Sequence, residues 1–263
     1  MGADAFQIYG GLNLLTAKPN AALVARVPHH LIGEVPLAET SDVARYLGIA
    51  EKRIAELQER GVQPIVVGGT GLYVRAITHG LARLPPADPQ LRGELSAHSL
   101  PELLRRLAEV DPVTAATIDA RNPRRVIRAL EVCLLTGQPF SRFREQWQKP
   151  RFPLRGVTLM RSREEMHERI ENRTKAMFQE GVIEEVRAVG AISETAAQAL
   201  GFREIRAHLA GEISELECIA AIERSTRHYA KRQLTWFRRE TAFPSFDISD
   251  ARDAALNLET LLV

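Results

Sequence analysis

From Arg224 to Arg239 the sequence reads Arg-Ser-Thr-Arg-His-Tyr-Ala-Lys-Arg-Gln-Leu-Thr-Trp-Phe-Arg-Arg, without a single acidic residue. Wound as a helix, it places Arg224, Arg227, His228, Lys231, Thr235, Arg238 and Arg239 on one side. Ala230, Leu234 and Phe237 fall on the other, so the helix packs by one face and shows a basic stripe on its opposite face. A second basic cluster, Arg121, Arg124, Arg125 and Arg128, opens another helical pattern. Most charge runs are only solvated faces. Here the lack of acids favours contact with the phosphates of a nucleic acid.

Phosphate chemistry has a second candidate place. Pro64-Ile65-Val66-Val67 has the character of a buried strand, stops at Gly68-Gly69-Thr70-Gly71, and is followed by a helical pattern over residues 72–77. A strand, a Gly-rich turn and a helix, in that order, are the parts of a phosphate or nucleotide site in an α/β fold. The alternative is a plain tight turn. Cys133 and Cys218 are too few for a disulfide framework or a zinc cage, and they read as small core residues in a reducing cytoplasm.

The elements that must hold these groups are legible in outline. Residues 4–9 read as the end of a strand entering the turn Gly10-Gly11. Residues 41–60 read as a helix with Ser41 as N-cap and Asp42 in its first turn. From Pro85 the character changes to helical patterns beginning at Pro101, near Asp111-Pro112, and at Asn122-Pro123, where Asn122 suits the N-cap and Pro123 the first helical position. A polar connector spans residues 138–153. Val157-Thr158-Leu159-Met160 returns to a strand, a long helix runs over residues 162–179 to a stop at Gly181, and further helices reach Arg239. The chain therefore divides into an α/β core with C-terminal helices (residues 1–84 and 151–263) and a helical insert (85–150). Its 263 residues, 45% hydrophobic and 26% charged, suit a soluble globular protein with no membrane span and no signal peptide. The tail, residues 241–263, carries no motif.

Several segments together resemble the tRNA dimethylallyltransferase family. They are Asp4-Ala5-Phe6-Gln7-Ile8-Tyr9, Gly11-Leu12-Asn13 through Thr16-Ala17-Lys18-Pro19, Pro28 through Ile32, Val67 through Tyr73, Arg125 through Glu131, Ala199 through Glu204, and Thr226-Arg227 through Thr235-Trp236. The resemblance is collinear to about residue 240. It implies a P-loop NTPase-like parallel-sheet core with an all-helical insert that binds the tRNA anticodon stem-loop. It also implies transfer of a dimethylallyl group from dimethylallyl diphosphate to the exocyclic amine of the adenosine 3′ of the anticodon. The expected setting is cytoplasmic and monomeric, away from membranes.

By that resemblance Asp4 matches the general base, Thr70 a substrate-contacting residue of the Gly-rich turn, and Arg173 an arginine near the diphosphate. Asp4, Ala5, Phe6, Gln7 and Thr70 match tRNA contacts, as do Arg92, Arg124, Arg125, Val126, Ile127 and Arg128 in the insert, and Gln198, Ala199, Leu200, Gly201, Phe202 and Arg203 near the C-terminal helices. Outside the family, an Asp at a strand end is more often a turn cap. Two positions depart from the pattern: Ala5 stands where Ser is commoner, and Leu15 where Gly is usual. The family's first strand and its G-x-x-x-x-G-K-S/T loop precede the position of Asp4, and no such motif occurs in this sequence. Mg²⁺ is implied as cofactor, but its usual P-loop ligand is not here and no protein ligand is assigned. A fragment, a mis-assigned start and a true truncated paralogue all fit. Two other functions stay open, a non-catalytic tRNA-binding paralogue and an adenylate isopentenyltransferase.

Overall fold

The computed structural model describes residues 1–144, 150–240 and 242–249. It divides into two compact units, residues 1–78 with the chain from Pro153 onward, and residues 79–152.

The first unit opens with α1 (Ala21–Arg26), α2 (Val43–Glu59) and α3 (Gly71–His79, whose last residue belongs to the second unit). It resumes with β1 (Thr158–Met160), α9 (Arg163–Gln179), α10 (Val182–Arg187), α11 (Phe202–Leu209), α12 (Glu215–Phe237) and β2 (Ser245–Asp247). Strands β1 and β2 pair in parallel, with Leu159 opposite Phe246. Two further parallel bridges join Gly2 to Val67 and Tyr9 to Val35. The architecture is α/β, rich in helix, with short parallel pairings. Strand β2 lies in the tail, where the sequence offered no signal.

Three expectations need correction. Residues 4–9 are not a strand end: the Asp4 carboxylate accepts the amides of Phe6 and Gln7 and curls residues 5–8 into turns. Residues 64–67 form no buried strand. Only Val67 is bridged, and Ile65 and Val67 are 57% and 68% exposed because no further strand among the described residues covers them. The cap of α2 is Asp42 rather than Ser41: its side chain accepts the amides of Ala44 and Arg45, while the Ser41 amide donates to the Tyr9 hydroxyl.

The second unit contains α4 (Pro89–Ser96), α5 (Leu100–Val110), α6 (Pro112–Thr117), α7 (Pro123–Thr136) and α8 (Phe140–Arg144). Helices α4 to α7 each begin with Pro in the first turn, where its missing N–H costs nothing. Asp88, Asp111 and Asn122 cap α4, α6 and α7 through their side chains. Leu95, Leu103, Leu107, Val126, Ala129, Leu130 and Cys133 form the core of this unit.

The main core of the first unit joins Leu12 and Leu15 to Met177, Val182, Val186, Ala199, Phe202, Ile205, Cys218 and Ile222. Both cysteines are buried and free. Among the described residues no helix is long and apolar enough to cross a membrane.

Candidate active site

Asp4 sits between the Gly2–Val67 bridge and the turn it caps. Its Oδ1 accepts the amides of Phe6 (2.8 Å) and Gln7 (3.0 Å). The capping role expected of an isolated Asp is thus real, and it occupies only one carboxylate oxygen. The Gln7 side chain donates to the carbonyls of Thr16 and Ala17, and Phe6 packs against the core. Thr70 completes this end: its Oγ1 accepts the Ala5 amide (3.1 Å), and its carbonyl accepts the amides of Tyr73 and Val74 in the first turn of α3.

The glycines of the turn before α3 are required by this chain's own packing. A Cβ on Gly68 would lie 2.2 Å from the Ala3 carbonyl oxygen, one on Gly69 2.0 Å from Gln233 Nε2, and one on Gly71 2.2 Å from the Trp236 ring. Gln233 Nε2 donates to the Gly69 carbonyl at 3.0 Å. The turn therefore brings the C-terminal helix, rather than only a ligand, close to the backbone. Tyr229, Gln233 and Trp236 are spaced along one face of α12, and the Tyr229 hydroxyl lies 3.5 Å from Thr70 Oγ1.

The opposite face of α12 is the basic stripe. Arg224, His228, Lys231, Thr235, Arg238 and Arg239 are exposed. Arg227 departs from the expectation, because it pairs with Glu171 and Glu223 at 2.9 Å each. Arg232 lies over the Tyr229 ring, 5.5 Å from its centroid.

Several ionisable groups feel the Asp4 charge. Burial pushes the phenols of Tyr46, Tyr73 and Tyr229 upward, Tyr73 to about 12, and Asp4 adds to each shift. The Tyr46 and Tyr73 rings stack with centroids 4.0 Å apart. Burial lowers Lys18 to about 8, while Glu185 and Asp4 oppose that shift. Burial also lowers Arg173 and Asp4 counteracts it; Arg173 Nη2 donates to the Leu15 carbonyl at 3.2 Å. Asp4, Thr70 and Arg173 therefore share a neighbourhood that also holds Lys18 and Tyr229. Leu15 fills the core, and a Cβ on Gly201 would meet its Cδ1 at 2.9 Å.

The remaining predicted contacts are placed variously. In the second unit Arg124 and Arg125 are exposed and Ile127 is half-buried. Val126 is wholly enclosed in the core, so its side chain cannot reach RNA from there. Arg92 and Arg128 are held by Glu131, whose side chain is fully buried. In the first unit Ala199, Gly201 and Phe202 are buried, Gln198 and Leu200 half-buried, and Arg203 exposed. Phe202 and Arg203 line an open groove of about 360 Å³ with Ala197, Arg206, Ala207 and Glu212. Asp4 and Thr70 are not among its walls.

Sequence reading missed Lys18, Glu185, Tyr229 and Glu131 as individual residues. Lys18, Tyr229 and Glu131 lie inside segments of recognisable pattern, whereas Glu185 carries no local signal. Among the described residues no group of three or more His, Cys, Asp or Glu side chains is arranged to hold a metal ion.

The family model for IPP transferases matches residues 7–240. The chain belongs to this family. It is 43% identical over 246 residues to tRNA dimethylallyltransferase 1 of Citrifermentans bemidjiense, covering 91% of this chain and 80% of that one. It is also 43% identical over 249 residues to the tRNA dimethylallyltransferase of Thermus thermophilus, covering 91% and 81%. The crystal structure of the full-length tRNA isopentenylpyrophosphate transferase of Bacillus halodurans superposes with a TM-score of 0.70 at 35% identity, covering 99% of this chain and 86% of that one. A eukaryotic dimethylallyltransferase acting on tRNA shares the fold, with a TM-score of 0.77 at 22% identity, covering 95% and 67%. The family's parallel-sheet fold is thus the fold of this chain.

Proposed function

We propose that this chain transfers a dimethylallyl group from dimethylallyl diphosphate to the exocyclic amine of the adenosine 3′ of the anticodon in tRNA. The observation that carries this reading is the joining of Asp4 and Thr70 through the Ala5 turn, with Arg173 tied to the same loop that the Gln7 side chain holds, in a chain of the IPP transferase family.

The amine nitrogen attacks the allylic carbon as that carbon's bond to the diphosphate oxygen breaks, and the electron pair leaves with the diphosphate. Asp4 takes the amine proton. Because Oδ1 is committed to two backbone amides, Oδ2 is the accepting oxygen. Thr70 holds the turn beside the base, and Arg173 offsets the charge growing on the leaving group. The adenine must leave its stack to reach Asp4, which an unpaired anticodon loop permits. The exposed stripe of α12, with Arg124 and Arg125 of the helical unit, supplies cations for the stem-loop backbone. Among the described residues no cluster of three or more His, Cys, Asp or Glu side chains makes a metal site of its own, and no residue is assigned to Mg²⁺.

The test is dimethylallyl transfer onto an unmodified anticodon stem-loop by the chain and by Asp4→Asn. Transfer is expected to fall by about 10²-fold or more in the variant, with stem-loop affinity within a few-fold. The same assay on a version extended upstream by a family-type strand, phosphate loop and helix shows whether those parts raise the rate. No transfer by either version, with tight stem-loop binding by both, would replace this reading with a non-catalytic tRNA-binding protein. Transfer to AMP in preference to the stem-loop would replace it with an adenylate prenyltransferase.

A further inference from the structure

Within the helical unit, two arginines from different helices converge on one carboxylate. The Glu131 side chain, on α7, has no exposed surface. Its Oε1 accepts Arg92 Nε at 2.9 Å and the Asp88 amide at 2.8 Å. Its Oε2 accepts Arg92 Nη2 at 3.0 Å and Arg128 Nη1. The lone pairs of the carboxylate are thereby filled. Arg128 Nη2 also donates to the Pro85 carbonyl at 2.7 Å, so the linker before α4 is tied to the same point.

Neutralising Glu131 does not require both arginines. One bidentate guanidinium balances a carboxylate, and the Asp88 amide already adds a further donor. The second arginine leaves the cluster with one positive charge in excess, because neither arginine pairs with any other carboxylate among the described residues. Each arginine uses two of its N–H groups in these bonds and has others to offer. Both side chains are partly exposed, and Arg121, Arg124 and Arg125 are exposed at the start of the same helix. Arg124 stands one turn before Arg128, on the same side of α7.

An arginine that grips a phosphate ordinarily loses rotamer freedom in doing so. Held by a buried carboxylate, these two have lost it before any ligand arrives, and their planar forks are fixed in place. Backbone phosphates of RNA accept such forks through their oxygens. We propose that Glu131 is a positioning residue for RNA binding: it fixes the Arg92 and Arg128 guanidiniums so that their remaining N–H donors hold phosphates of the bound strand. The proposal rests on the reading that this chain binds a tRNA stem-loop. Glu131 itself touches no RNA.

Positioning and simple charge predict opposite signs. Glu131→Gln removes a negative charge, so arginines acting only as charges would bind RNA more tightly in the variant. Arginines that Glu131 positions must instead be ordered on binding once it is gone, and the affinity falls.

The test is titration of an unmodified anticodon stem-loop against the whole chain over a salt series. Glu131→Gln is expected to weaken binding about tenfold. Arg92→Lys with Arg128→Lys keeps every charge but removes both forks, and should weaken binding several-fold. Arg92→Met, Arg128→Met and Glu131→Leu together should lower the slope of log affinity against log salt by about two units. Hydrogen exchange of the α4, α5 and α7 amides shows that the unit is folded in each variant. Unchanged or tighter binding by folded Glu131→Gln overturns the proposal, as does unchanged binding by Arg92→Lys with Arg128→Lys. The latter variant retains the Glu131 carboxylate and decides the matter if Glu131→Gln unfolds the unit. Because binding needs no turnover, a chain that shows these losses but transfers nothing refutes the transferase reading and not this one. Transfer by a chain whose Glu131→Gln variant binds as tightly as the unaltered protein does the reverse.

Discussion

Glu131 gives the sharpest stability prediction. Its side chain is fully buried in the helical unit and meets Arg92 as a bidentate pair, with Nε at 2.9 Å and Nη2 at 3.0 Å. Arg128 and the Asp88 amide, at 2.8 Å, complete its partners. Removing one member of a buried ion pair costs about 3–5 kcal/mol because a charge is left uncompensated. The Arg92 and Arg128 side chains are 42% and 27% exposed, so water screens part of that loss. Glu131→Gln should therefore cost about 2–3 kcal/mol. The assay is urea unfolding followed by hydrogen exchange of the α4, α5 and α7 amides, since the two units need not unfold together. Replacing Glu131, Arg92 and Arg128 together by apolar residues of similar size should recover most of the loss. A loss below about 0.5 kcal/mol for Glu131→Gln would refute the clamp, because that is the range of ordinary surface changes. Stability should also depend on pH. Burial alone would raise the Glu131 pKa, but the hydrogen bonds from Arg92, Arg128 and Asp88 outweigh it and hold the carboxyl below its ordinary value. A depressed folded-state pKa means that this contribution is present above the ordinary carboxyl range and disappears as pH falls through the folded value.

Other perturbations should separate packing from binding. Gly71→Ala should lower the urea midpoint by an amount worth about 1–3 kcal/mol, because the new methyl collides with the Trp236 ring. Gly48→Ala, in α2 with nothing near its added methyl, should be neutral or stabilising by up to about 1 kcal/mol; a large loss there would contradict the local geometry. Neutralising Arg224, Lys231 and Arg239 one at a time should weaken stem-loop binding and reduce the slope of log affinity against log salt by about one unit per site. Unchanged slopes would remove α12 from the RNA footprint.

The helical unit was the most legible part of the sequence, because Pro and Asx residues mark its helix starts through local chemistry. The basic face of α12 was also readable from periodicity, except that Arg227 turns to Glu171 and Glu223, residues no helical wheel of that segment includes entirely. The short strands were hard to read. A strand signal at residues 64–67 depends on a neighbour to complete it, and the strand at residues 245–247 has no pattern of its own. For the Gly-rich turn, the residue types were legible but their reason was not: nothing local to residues 68–71 announces that Gln233 and Trp236 will lie against them. Arg92 and Arg128 illustrate the same limit, since surface-like arginines acquire a structural role only through Glu131, which folding buries.

The meeting of Ala3, the turn at Gly68–Gly71, and Gln233 and Trp236 of α12 also orders events in time. A ribosome emits Asp4 long before α12, so the carboxylate waits through much of synthesis before the helix that closes the neighbouring turn exists. The helical unit, built from contacts among neighbouring helices, can organise meanwhile. The core cannot, and its exposed apolar residues must be kept from other chains until α12 has been made. A ribosome stalled before Gln233 should therefore display a formed insert on an unfinished core, a species that chaperones would recognise and proteases would cut.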